Sequence, residues 1–173
     1  MPIEKRWVVK PQGDPATVEL LSTTLRIPKV LANLLVQRGI DTEEKAHAFF
    51  NPQLSDLHDP FLMKDMDRAV ERVEKAVEGH EKIMVYGDYD VDGTTAVALV
   101  YKFLRQIGHK NLVFYIPDRY NDGYGISIRG IDFAARKGVT LTIALDCGIK
   151  AVEKVVYAKE KGVDFIICDH HLP

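Results

Sequence analysis

The second part of the chain alternates short apolar runs with amphipathic stretches. The apolar runs lie at residues 83–86, 112–116, 140–145 and 163–168. Their largely continuous apolar character is typical of strands that are buried on both faces of a parallel sheet. The stretches between them are long enough to form crossover helices. The pattern predicts an α/β fold, a doubly wound parallel sheet with helices on both faces.

The first part of the chain has a different pattern, with short helical stretches separated by proline-containing turns. Pro28 suits the first turn of one helix, and Asp41 begins a capping-box pattern before a second. A third amphipathic stretch ends at Gly79, a residue type that often terminates helices. We therefore predict a small, mainly helical N-terminal segment at residues 1–79 and an α/β domain at residues 80–173.

Composition narrows the class of protein. A hydrophobic content of 46% and a charged content of 28% are ordinary for a globular chain. The net charge of -2 provides no overall basic surface, so contact with nucleic acid would need a local patch. No segment approaches the ~18 consecutive apolar residues of a membrane span, and we find no secretory signal. Cys147 and Cys168 suggest no disulfide framework, so we expect a reducing, cytoplasmic location.

Acidic and histidine side chains follow three of the predicted strands. They are Asp88, Asp90, Asp92, Asp146, Asp169, His170 and His171. The carboxyl ends of parallel strands meet at one edge of a sheet, where ligands bind. Clustered carboxylates repel one another unless a cation lies among them, and oxygen ligands with one or two imidazoles suit Mn²⁺ or Mg²⁺. Two such ions can activate water for displacement at phosphorus, so the pattern predicts a two-metal phosphoester-cleaving centre.

Other ligand motifs do not fit these residues. The spacing of Asp88, Asp90 and Asp92 resembles the start of an EF-hand loop, but Leu99 occupies the position that needs a bidentate acid. The turn after the first strand also lacks the glycine pattern of a dinucleotide-binding site, and the chain has no P-loop.

The ordered motifs resemble those of the DHH phosphoesterase superfamily. Three segments are similar to its first three motifs: Asp88-Tyr-Asp-Val-Asp-Gly93, Leu145-Asp146-Cys147-Gly148 and Asp169-His170-His171. Two more resemble the superfamily's exonucleases that are specific for single-stranded DNA: Lys5-Arg6-Trp7-Val8-Val9 and the stretch from Arg119 to Gly125.

This resemblance implies roles for the clustered side chains. Four would be metal ligands: Asp90, Asp92, Asp146 and His170. Asp88 would lie beside the first metal, as a catalytic residue and a further ligand, because Tyr86 stands where many relatives have a histidine. His171 would approach the scissile phosphate.

Two residues of the stretch after the second strand are candidate substrate contacts. Arg119 has the charge to contact a phosphate, and Tyr124 has a ring on which a base can stack. A salt bridge for Arg119 and simple loop packing for Tyr124 remain the alternatives.

The function implied by the resemblance is metal-dependent phosphodiester hydrolysis. We expect a 5′→3′ exonuclease that acts on single-stranded DNA in repair and recombination and uses two Mn²⁺ or Mg²⁺ ions. The alternatives are a phosphodiesterase or pyrophosphatase acting on small nucleotides or pyrophosphate, and a binding module without catalysis. The family has a fourth motif with a further Asp, followed by nucleic-acid-binding domains. We therefore expect this sequence to be the N-terminal part of a longer protein, weakly active or inactive alone.

Overall fold

A computed structural model of the chain describes residues 6–173, which leaves Lys5 of the segment noted above outside the described residues. The chain forms two compact units, Met1–Asp59 and Pro60–Pro173. Among the described residues, no helix is both long and apolar enough to cross a membrane.

The first unit is helical, as predicted. Its helices are α1 (Pro15–Leu25), α2 (Lys29–Val36) and α3 (Glu43–Phe50), followed by a 3₁₀ turn at Leu54–Asp56. Leu21, Ala32 and Leu35 form its buried core.

Two details of the first unit differ from the prediction. The sequence pattern did not predict α1, which begins when the Asp14 carboxylate accepts a hydrogen bond from the Thr17 N–H. Helix α3 is capped by Thr42 rather than by Asp41. Asp41 instead forms an ion pair with Lys45, so the capping-box assignment was shifted by one residue.

The second unit contains a helix and then a strand and helix alternation. A 3₁₀ turn at Pro60–Leu62 precedes the regular elements, which are α4 (Met66–Glu78), β1 (Ile83–Gly87), α5 (Val91–Gln106), β2 (Leu112–Tyr115), α6 (Ile128–Arg136), β3 (Leu141–Leu145), α7 (Val152–Glu160) and β4 (Asp164–Cys168). The unit boundary before α4 differs from the predicted boundary at residues 79 and 80. The reason is that Ala76 of α4 is buried against the sheet.

All four strands are parallel, in the order β2-β1-β3-β4. The chain leaves β1 towards β2 and then returns across β1 to β3, which makes the gap between β1 and β3 a topological switch point. Gly87 pairs with Leu145, and Leu145 pairs with Cys168. The last residues of β1, β3 and β4 are therefore aligned, and Asp88, Asp146 and Asp169 leave the sheet side by side.

Helices cover both faces of this sheet, which confirms the predicted fold class. On one face, Ile83 and Val85 pack with residues of α4 and α5, including Val97 and Leu104. On the other, Met84 and Tyr86 pack with residues of α6 and α7. Burial on both sides explains why the strands are continuously apolar.

Candidate metal centre

Asp88 is fully buried directly after β1. Neither of its carboxylate oxygens makes a well-aligned hydrogen bond among the described residues, although the N–H groups of Tyr89 and Gly125 lie close to it. Burial raises the pKa of the Asp88 carboxyl, the N–H groups of Tyr89 and Gly125 oppose the rise, and the negative charges of Asp90 and Asp146 add to it. A buried carboxylate without partners is costly unless a cation neutralises it.

The other two acids of the first motif, Asp90 and Asp92, lie at the start of α5. This helix begins at Val91, because the Asp90 carboxylate accepts a hydrogen bond from the Gly93 N–H at 2.9 Å. A Cβ atom at Gly93 would lie 2.5 Å from the Asp88 carbonyl oxygen, so only glycine allows the helix to start this close to Asp88. Asp92 is exposed on the first turn of the helix.

Asp146 and His170 meet where β3 and β4 end. The Nε2 atom of His170 lies 3.0 Å from Oδ1 of Asp146. Asp146 has a left-handed backbone conformation, with φ of 59°, and its N–H donates to the Cys168 carbonyl at 2.8 Å. A non-glycine residue rarely adopts this conformation, and such positions cluster at functional sites. One ligand atom from each of Asp146, His170 and His171 falls within 4.8 Å of the others.

Asp169 holds His171 in place. Its Oδ1 lies 2.7 Å from His171 Nδ1, and its Oδ2 accepts a hydrogen bond from the Ile149 N–H at 2.9 Å. Burial acts to raise the pKa of Asp169, but these hydrogen bonds lower it overall. The hydrogen bond to Asp169 is in turn the main reason that the pKa of His171 is raised. With Nδ1 occupied by Asp169, the imidazole directs Nε2 towards the open side of the centre.

Aromatic side chains border that open side. The Tyr124 hydroxyl lies 3.4 Å from His171 Nε2, and the Tyr124 ring packs edge-on against Tyr89. The Arg119 guanidinium stacks over the Tyr89 ring, 5.2 Å from its centroid. Tyr124 is 55% exposed, and Arg119 is also exposed. Both predicted substrate contacts therefore reach solvent beside the acidic cluster.

The donor set fits a hard divalent cation. Carboxylate oxygens with one or two imidazole nitrogens suit Mn²⁺ or Mg²⁺, whereas thiolates select softer metals. Cys147 lies close to these acids, but burial raises the pKa of its thiol to about 12. It packs in the core as a small apolar side chain, as expected from the sequence.

The structure brings several of the predicted residues together where β1, β3 and β4 end. The charges of Asp90 and Asp146 both act on Asp88, and His170 and His171 adjoin Asp146. Asp92 is exposed on the first turn of α5, two residues after Asp90. The sequence analysis gave no role to Asp169, since its link to Ile149 joins two loops that only the folded sheet brings together.

Comparison with known proteins places these residues in a family. The model of the DHH family, N-terminal domain, matches residues 82–173. The chain is 41% identical over 168 residues to the single-stranded-DNA-specific exonuclease RecJ of Bacillus subtilis, covering 97% of this chain and 21% of that protein. It is 32% identical over 148 residues to the same-named protein of Escherichia coli, covering 85% of this chain and 25% of that one.

Solved structures give the same relationship. A crystal structure of exonuclease RecJ bound to manganese matches with a TM-score of 0.59 and 32% identity, covering 64% of this chain and 28% of that chain. RecJ of Thermus thermophilus in complex with Mn²⁺ matches with a TM-score of 0.65 and 25% identity, covering 94% of this chain and 22% of that chain. The chain thus spans about a fifth to a quarter of the length of these relatives.

Proposed function

This chain belongs to the DHH family, and from that premise we propose that it carries the metal centre of a 5′→3′ exonuclease acting on single-stranded DNA in repair and recombination. The observation that carries the proposal is the buried Asp88 carboxylate, which lacks hydrogen-bond partners among the described residues and lies beside Asp146. The substrate is inferred from the similar proteins, which are exonucleases specific for single-stranded DNA. The metal is inferred from the similar solved structures, in which RecJ is bound to manganese. Since the chain spans a small part of each relative, the activity remains a proposal about the whole protein.

We assign the metal ions to the acids and the first histidine of the cluster. Two Mn²⁺ or Mg²⁺ ions would be held by Asp88, Asp90, Asp92, Asp146 and His170. Bound ions of this kind supply an activated water and neutralise charge on the phosphate that it attacks. The capping bond of Asp90 uses Oδ1, so the same carboxylate both begins α5 and keeps its second oxygen for a ligand role.

His171 is the candidate catalytic residue nearest the open side, together with Asp88 beside the metals. Asp169 orients the imidazole through Nδ1 and favours its protonated form. The Nε2–H group of that form would donate to an oxygen of the scissile phosphate and stabilise the charge that develops there.

Arg119 and Tyr124 would bind the nucleic acid strand. The guanidinium of Arg119 carries charge suited to a phosphate, and the Tyr124 ring offers a face for stacking against a base. Tyr124 lies beside His171, and Arg119 lies over Tyr89, which packs against Tyr124, so both positions support contact with the nucleotides that flank the scissile bond. The cytoplasmic location is also a proposal, which the two free cysteines support.

The test uses the intact gene product that contains this chain. We expect it, with Mn²⁺, to release mononucleotides from the 5′ end of a single-stranded oligonucleotide, to leave duplex DNA intact and to stop when the metal is chelated. Arg119→Met should weaken binding of the strand, whereas Arg26→Met, on the helical unit, should not.

Other outcomes would support the alternatives. Hydrolysis of dinucleotides or pyrophosphate, without degradation of longer strands, would identify a small-nucleotide phosphodiesterase or pyrophosphatase. Mn²⁺ binding by calorimetry without hydrolysis of any of these substrates would identify a binding module.

A further inference from the structure

The segment at residues 116–127, here called the rim loop, connects β2 to α6 and carries Arg119 and Tyr124. It contains no helix or strand, and Gly123 and Gly125 both have positive φ angles. A loop of this kind lacks the regular backbone hydrogen bonds that would fix the position of its side chains. Contacts from the rest of the fold must therefore fix Tyr124 beside His171.

Tyr86 supplies two such contacts from inside the sheet. Its side chain is fully buried, and its hydroxyl donates to the Gly125 carbonyl at 2.8 Å. The same hydroxyl accepts a hydrogen bond from the Ser127 N–H at 3.1 Å. The two hydrogen bonds therefore hold the backbone on either side of Ile126, and the first holds the residue directly after Tyr124.

The Tyr86 ring is itself closely packed. It stacks on Tyr115 at a centroid distance of 5.4 Å. A Cβ atom at Gly130 would lie 2.7 Å from Cε2 of Tyr86, so α6 approaches the ring as closely as a glycine permits. From the other side, Lys154 of α7 donates to the Ile126 carbonyl at 2.5 Å. The hydroxyl of Tyr86 therefore has a defined place, and so does the backbone that it binds.

A second, half-buried tyrosine holds the earlier half of the rim loop in place. The Tyr115 hydroxyl donates to Oδ2 of Asp122, which also accepts a hydrogen bond from the Asp118 N–H. Asp118 in turn accepts hydrogen bonds from the Tyr120 and Asn121 N–H groups. This half is thus held by Tyr115 at the end of β2 and by side chains of the loop itself, whereas Gly125 and Ser127 are bound directly by Tyr86.

We propose that Tyr86 is a positioning residue for substrate binding, which fixes the rim loop so that Tyr124 stands beside His171. The proposal rests on the function proposed above, because its effect is read in the binding of single-stranded DNA. On this proposal β1 has two roles. Asp88, directly after the strand, lies in the metal centre, and Tyr86, two residues earlier, holds the loop that faces the substrate.

The test compares Tyr86→Phe with Tyr157→Phe in the intact gene product. Each variant removes one hydroxyl from a tyrosine, but Tyr157 donates to Asp132 on α6, away from the rim loop. We expect Tyr86→Phe to raise the KM for single-stranded DNA about tenfold, as for a loss of ~1.4 kcal/mol, while kcat stays within about twofold. Mn²⁺ affinity should be unchanged. Tyr157→Phe should change neither constant.

Two kinetic results would overturn the proposal. One is an equal rise of KM in both variants, which would indicate general loosening of the domain. The other is a fall in Mn²⁺ affinity with Tyr86→Phe that matches the loss of activity, which would mean that Tyr86 acts through Asp88.

Hydrogen exchange on the 173-residue chain provides a readout that needs no activity. Backbone amides of residues 123–127 should exchange faster in Tyr86→Phe and at the original rate in Tyr157→Phe. Unchanged exchange in Tyr86→Phe would overturn the proposal. If the unmodified protein does not degrade single-stranded DNA, the proposed function fails, and this comparison still decides whether Tyr86 fixes the loop.

Discussion

His170 Nε2 lies 3.0 Å from Oδ1 of Asp146, so a single side-chain contact joins the ends of β3 and β4. In the metal-free chain this contact pairs two groups that we assign as ligands. An ion held by both residues would link the ends of these two strands, so metal binding would be coupled to the stability of the sheet edge.

We first predict that Mn²⁺ stabilises the 173-residue chain against heat. A ligand at about 100 times its Kd adds ~2.7 kcal/mol to the free energy of unfolding. The gain in Tm should disappear in Asp146→Asn and in His170→Ala, because each removes a ligand atom. His47→Ala, which alters an exposed histidine of α3, is the matched control and should keep the full gain. Equal stabilisation of all four proteins by Mn²⁺ would contradict the assigned site.

The second prediction concerns the effect of the buried Asp88 charge on the free energy of unfolding. Replacing it with Asn removes a buried charge without partners, so the metal-free chain should become more stable by roughly 1–3 kcal/mol. The same variant should lose the stabilisation by Mn²⁺. Asp67→Asn, at an exposed position in α4, should produce neither effect. A metal-free Asp88→Asn chain that melts below the unmodified chain would count against this reasoning.

The pH dependence of this effect has a defined sign. Burial raises the pKa of Asp88 in the folded chain above its ordinary value of 3.8. Between those two pKa values the folded state holds more protons than the unfolded state, so stability falls as pH rises. The advantage of Asp88→Asn should therefore be small near pH 3.8 and grow above it until the folded pKa is passed. Thermal melts across this range measure it.

The third prediction concerns Asp169 as the partner of His171. Its hydrogen bond to Nδ1 is the main cause of the raised pKa of His171, so Asp169→Asn should lower that pKa. If the protonated imidazole donates to the phosphate, the basic limb of the kcat profile should move to lower pH. At neutral pH kcat should fall, because a smaller fraction of the imidazole is protonated.

The effect of Asp169→Asn is measured as kcat over a series of pH values in the intact gene product. Asp132→Asn, which alters the partner of Tyr157, is the control and should leave the profile in place. A uniform fall of kcat at every pH, with the limbs unmoved, would mean that Asp169 only shapes the loop.

A fourth prediction addresses the opposite end of the sheet. Arg72 of α4 donates to Glu81 at 2.8 Å and to Asp164 at 2.9 Å, and its side chain is 23% exposed. Arg72→Ala leaves two acids without their partner and should lower the free energy of unfolding by about 1–3 kcal/mol. Arg72→Lys keeps the charge and should lose less. Since the network lies at the amino ends of the strands, Mn²⁺ affinity by calorimetry should not change.

The fold class was predictable because the central strands β1 and β3 are buried on two faces, and the edge strands β2 and β4 are largely half-buried. Such strands need apolar residues throughout, and that requirement is visible in one sequence. The start of α5 was not predictable to the same degree. Asp90 and Asp92 interrupt the apolar periodicity, and the helix begins among them because Asp90 is its cap.

The ligand-type residues were predictable because their strands end in register. The supporting contacts were not, since they cross large distances along the chain. Tyr86 binds Gly125 and Ser127, and no local pattern distinguishes it from a tyrosine that only fills space. Its role depends on where β1 lies relative to the rim loop, which tertiary packing decides.

The strand order also has a consequence for folding kinetics. The assigned ligands extend from Asp88 to His170, and they meet only after β1, β3 and β4 have paired. Contacts this distant along the chain form late, because closing the intervening loops costs entropy. An ion that binds the finished edge stabilises the native state more than the transition state. It should therefore slow unfolding and leave the refolding rate nearly unchanged, so the metal would raise the kinetic stability of the sheet.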